Sequence, residues 1–114
     1  MTRQAAIQMA QHQFDDGSFK NCLKKRIAQP TESQNPARAP ELLAYLSQDL
    51  MPAFQAMGFE CQLIEHVKAK APFLFAQRIE SKDLPTVLGY GHGDVIRGLE
   101  NEWREGISPW NLTE

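Results

Sequence analysis

Apolar and polar positions along the chain fall into helical spacing first and strand-like spacing later. Thr2 can cap a first helix that runs to about Phe14 and is rich in Ala, Gln and Met. Asp16-Gly17 ends it with a residue that tolerates positive φ, and Ser18 offers a second cap. Phe19, Cys22, Leu23, Arg26 and Ile27 then follow helical spacing, and their apolar members predict one buried stripe. Pro30 stops this helix, and residues 29–40, with three prolines among polar residues, read as a loop. Within it Thr31, Glu32 and Ser33 are expected to be turn formers, since no Gly-x-Ser-x-Gly elbow surrounds Ser33.

Glu41 to Met57 is the clearest helix, with Leu43, Leu46, Leu50, Phe54 and Met57 at three- and four-residue steps. Pro52 removes one backbone donor and predicts a kink or restart, and Gly58 is placed to cap the carboxyl end. Phe59, Cys61 and Leu63 alternate with Glu60 and Gln62, the pattern of a half-buried strand. Phe73, Phe75 and Ile79 alternate with Leu74, Ala76 and Arg78, which predicts a more buried partner. The connection Val67 to Pro72 is too short for a helical crossover, so the pair should be antiparallel. A third strand is expected over Thr86 to Tyr90, whose apolar run suits burial on both faces of a sheet. The fold class that follows is α/β, with amino-terminal helices packed on a mixed β-sheet.

At 114 residues the chain is one domain's worth, able to bury roughly two thirds of its unfolded surface. Its 42% hydrophobic and 23% charged residues fit a soluble globular protein. A net charge of −2 argues against a nucleic-acid partner, and the basic run Lys24-Lys25-Arg26 reads as a solvated helix face. No apolar run approaches the roughly 18 residues of a membrane span, so no membrane partner is expected. The amino end lacks a secretory pattern. Two cysteines make no disulfide framework; Cys22 and Cys61 read as packing residues, and the default compartment is the cytoplasm.

The stretch with chemistry in it is Leu84-Pro85-Thr86-Val87-Leu88-Gly89-Tyr90-Gly91-His92-Gly93-Asp94-Val95. Open α/β sheets carry ligands at strand tips, where this run ends in a His and an Asp two apart. On an extended backbone those side chains share one side. A neutral imidazole is the commonest transition-metal ligand, and a neighbouring carboxylate fixes its tautomer. His92 is thus a candidate metal ligand and Asp94 its supporting carboxylate. The bland alternative is a histidine that caps a buried strand.

Gly91-His92-x-Asp94-Val95, followed by Trp103-x-x-Gly106-x-x-Pro109-Trp110-x-Leu112, resembles the dinuclear zinc metallopeptidase family. That family includes aminoacylase, carnosinase, bacterial glutamate carboxypeptidase, acetylornithine deacetylase and succinyl-diaminopimelate desuccinylase. The specific match covers Leu84 to Glu114, and weaker similarity runs back through Pro30-Thr31-Glu32-Ser33 and Ala44-Tyr45-Leu46 to Gly58-Phe59.

The resemblance implies amide hydrolysis at a pair of zinc ions (Co2+ or Mn2+ being substitutes), in a zinc-exopeptidase-like domain of which residues 1–114 are an amino-terminal piece. It maps His92 onto a metal ligand and Asp94 onto the catalytic supporting carboxylate. The family's bridging Asp, Glu-Glu pair, later acidic ligand and last His would lie beyond Glu114. The implied substrate is a small peptide or N-acyl amino acid with a free carboxylate. By itself this piece is expected to turn over nothing and to self-associate through an exposed sheet edge. A non-catalytic binding or assembly module that keeps the start of the fold is the competing reading. Elsewhere, His12 and His66 read as surface or packing histidines. Glu100, Glu102 and Glu105 read as a solvated acidic segment, and Trp103 and Trp110 as loop-packing residues.

Overall fold

A computed structural model describes residues Thr2–Glu114. Helices and one small antiparallel sheet make up the regular structure, in two compact units. One consists of the chain up to Gln29 together with Leu99–Glu114; the other is Pro30–Gly98.

The first unit holds α1 (Arg3–Asp15) and α2 (Ser18–Ile27). The Thr2 hydroxyl accepts the Ala5 N–H at 3.2 Å, satisfying an amino-terminal donor of α1. Gly17 takes φ 80° between the helices, a conformation that favours glycine. Ser18 is not the cap: it is the first residue of α2, and the Asp16 carboxylate accepts its N–H at 2.8 Å. Hydrogen bonding from Ser18, its side chain first and its backbone N–H second, holds the Asp16 carboxyl below the usual carboxylate range. The expected buried stripe on α2 does not form, because Phe19 and Leu23 stay exposed and so does Cys22. Two helices facing each other have too little apolar surface to enclose a stripe on either. In the carboxyl-terminal part of this unit the Trp110 indole donates to the Glu100 carboxylate, closing residues 100–110 into a loop.

The second unit is organised by a helical run over residues 39–56 and a hairpin. The run comprises α3 (Ala39–Ala44), a π-helical segment (Tyr45–Leu50) and α4 (Met51–Ala56). Pro52 explains the interruption. Its ring would meet the carbonyl four residues back in a regular α-helix, and the wider π turn moves that carbonyl aside. Along the run Leu42 and Asp49 are buried, whereas Leu43 and Met57 of the expected stripe are exposed.

A Schellman motif ends α4. Gly58, at φ 83°, donates to Gln55 O at 2.9 Å, and Phe59 donates to Phe54 O at 3.1 Å. The Phe54 and Phe59 rings meet edge to face, 5.3 Å between centroids.

The strands β1 (Glu60–Ile64) and β2 (Phe73–Gln77) pair antiparallel, as their short connection requires, and α4 packs on them. Register sets the facing of β2, which is no more buried than β1. Cys61 opposes Ala76 and Leu63 opposes Leu74, and directly opposed residues share a face. The inner residues of β2 are therefore Leu74 and Ala76, while Phe73, Phe75 and, beyond the strand, Ile79 are exposed.

The sheet has two strands, so the mixed sheet of the sequence expectation is not formed among the described residues. Thr86–Tyr90 is not a strand: Val87, Leu88 and Tyr90 are 91%, 90% and 88% exposed. A doubly buried strand needs a hydrogen-bonding neighbour and a layer on each face, and nothing among the described residues provides them. No helix is long and apolar enough to cross a membrane.

Candidate functional site

His92 and Asp94, two apart on the chain, are brought together in the second unit. The His92 Nδ1 lies 2.9 Å from Asp94 Oδ1 and 3.0 Å from the Asp94 carbonyl oxygen. A carboxylate and a carbonyl only accept, so in the neutral ring the proton belongs on Nδ1. The Nε2 lone pair then faces away from Asp94 and has no partner among the described residues. The side chains are 63% and 33% exposed, so the pair is open to solvent.

Gly93 lies between them for a steric reason. A β-carbon there would fall 3.2 Å from Tyr45 Cε1 and 3.9 Å from Leu46 Cδ2, both in the π-helical segment. The helix thus touches the backbone midway between the two side chains. Gly91 has open space around it and no such constraint.

On the carboxyl side, residues 31–34 form a short parallel pairing with residues 95–96. Val95 N–H donates to Thr31 O at 2.9 Å, and Ser33 and Gln34 N–H donate to Val95 O and Ile96 O at 2.8 and 3.4 Å. Thr31 and Glu32 are buried, at 6% and 8% exposure. Glu32 Oε1 accepts the Gly98 N–H at 2.8 Å, and Oε2 accepts from Arg38 Nε at 3.3 Å. Arg38 Nη1 also reaches Glu41 Oε1 at 3.0 Å. The Gly98 bond, and after it Arg38, holds the Glu32 carboxyl below its usual range. Arg38 does the same to Glu41, and Glu41 in turn raises the guanidinium.

Glu32 and Ser33 do turn the chain, with Glu32 O accepting the Asn35 N–H at 3.2 Å. With Thr31 they also supply the bridge partner and the carboxylate anchor of the segment that follows His92–Asp94. A β-branched residue after a proline is the only local hint of extended backbone at Thr31. Nothing local indicates a partner more than sixty residues away.

The other candidates lie elsewhere. His12, on α1 in the first unit, stands 3.5 Å from Asp16. The His66 Nδ1 accepts the Lys68 N–H at 3.2 Å in the hairpin turn. Glu100 accepts the Trp110 indole. Catalytic zinc sites use at least three protein ligands, and no group of three or more His, Cys, Asp or Glu converges among the described residues. The His92–Asp94 pair suits one ligand position and its support, and no hydrolytic step can be routed through these residues alone. Comparison with protein-family models, with curated proteins and with solved structures gave no match for this chain.

Proposed function

We propose that the chain contributes one histidine ligand and its supporting carboxylate to a zinc-dependent hydrolase that cleaves amide bonds of small peptides or N-acyl amino acids. The supporting observation is the 2.9 Å contact between His92 Nδ1 and Asp94 Oδ1, which leaves Nε2 bare and solvent-facing. Asp94 selects the tautomer able to bind a metal and restrains the ring. A bound zinc would supply an acidified water and polarise the substrate carbonyl. In this reading the remaining ligands and the proton-shuttling glutamate come from outside the described residues, and the present chain holds metal weakly. A pair of metals, with Co2+ or Mn2+ able to replace zinc, belongs to the complete site.

The competing reading, a binding or assembly module, draws on the exposure of Val87, Leu88 and Tyr90. Such a module has no chemical need for a tautomer-fixed imidazole, which favours the hydrolase. Titration of the chain with Zn2+, followed by the imidazole nitrogen resonances, tests the choice. The expected result is a shift confined to His92 Nε2 that is lost in His92→Ala and weakened in Asp94→Asn. Equal responses at His12, His66 and His92 would overturn it.

A further inference from the structure

We propose that Glu32 is a positioning residue for the His92–Asp94 pair, acting through Gly98 and the strand-like pairing beside it. The inference rests on the reading of His92 and Asp94 as the working pair. Between Pro85 and Asp94 no backbone group is hydrogen-bonded to another backbone group among the described residues. Two contacts bear on the segment that carries the pair: the Tyr45 and Leu46 side chains against Gly93, and the pairing that begins at Val95.

Glu32 secures the second of these. It is the residue bridged to Val95, and its side chain reaches Gly98, beyond the last paired backbone residue, Ile96. Its two oxygens serve different donors: Oε1 takes the Gly98 N–H and Oε2 the Arg38 guanidinium. Residues 95–98 are thus clamped at both ends against residues 31–34, which sets where the peptide after Asp94 begins. His92 Nδ1 contacts both the side chain and the carbonyl of Asp94, so a shift of that residue's backbone disturbs both contacts together. Charge matters as well as shape. Glutamine puts an NH2 group where one carboxylate oxygen stood, so either Gly98 or Arg38 faces a donor in place of its acceptor, and the negative charge opposite Arg38 is lost.

The test compares Glu32→Gln and Arg38→Met with Leu42→Ala, which removes buried apolar surface and none of the clamp's hydrogen bonds. Two properties are read by NMR on the metal-free full chain. One is amide exchange at Val95 and Gly98; the other is the ring-nitrogen pattern of neutral His92, which reports how much of it carries its proton on Nδ1. In both clamp variants the exchange of Gly98 should quicken and the Nδ1–H pattern should be lost to a mixture of tautomers. Leu42→Ala should quicken exchange generally and keep the His92 pattern. A wild-type His92 pattern in both clamp variants would overturn the positioning role, whether or not Gly98 exchanges faster. So would loss of the pattern in Leu42→Ala to the same extent. Because no metal is present, failure of His92 to bind zinc would remove the proposed function and leave this result readable.

Discussion

Adding one methyl group at Gly93 tests the contact between the π-helical segment and the His92–Asp94 turn. The new β-carbon would sit 3.2 Å from Tyr45 Cε1 and 3.6 Å from Cδ1. Carbon atoms prefer about 3.5–4.0 Å, so the ring or the turn must yield by a few tenths of an ångström. Forcing extra carbon into a packed contact costs roughly 1–3 kcal/mol. Replacing glycine by alanine also removes unfolded-state freedom, which returns about 0.4–1 kcal/mol where the backbone suits alanine. Gly91→Ala is the matched control: neither glycine has a positive φ, and nothing lies within 4 Å of a β-carbon at Gly91.

The entropy contribution is common to both variants, so their difference isolates the packing cost, about 1–3 kcal/mol. In a chain of this size each kcal/mol moves the melting midpoint by roughly 4 °C. Gly93→Ala should therefore melt about 4–12 °C below Gly91→Ala in thermal unfolding followed by circular dichroism. Midpoints that coincide would show that Tyr45 does not bear on Gly93 in solution, and the account of how the helix holds the pair would fail.

Among the described residues Leu42 is the one buried hydrophobic side chain, at 7% exposure. Its replacement by alanine should cost about 2 kcal/mol, the lower end for buried leucines because the surrounding core is thin; urea unfolding with no change in midpoint would contradict this. Glu32 and Glu41 both have carboxyls held below their usual range, by the Gly98 N–H and by Arg38 respectively. A lowered folded-state value means stability that is present above the unfolded value and lost as pH falls through the folded one. Melting midpoints should thus decline below about pH 4.3, the ordinary glutamate value. Glu32→Gln should flatten that decline; a wild-type slope in the variant would count against the Glu32 anchor.

Local signals in the sequence were reliable where the physics is local. Thr2 as a cap, Gly17 and Gly58 as left-handed helix ends, the antiparallel hairpin, and the approach of His92 to Asp94 each depend on a few successive residues. Backbone geometry over one turn or two strand positions decides them. Three features needed the tertiary structure. The inner face of β2 was set by its register against β1, because alternation gives a strand two faces without saying which is covered. The apolar run Thr86–Tyr90 had the composition of a buried strand, yet burial requires neighbours, and composition does not supply them. The Glu32 anchor joins residues 66 positions apart, so neither end carries a mark of the other. Sequence alone determined that His92 and Asp94 could meet, because they lie two positions apart on one backbone. Only the folded chain decided what holds them in place, because hydrogen bonds between distant segments exist only after those segments meet.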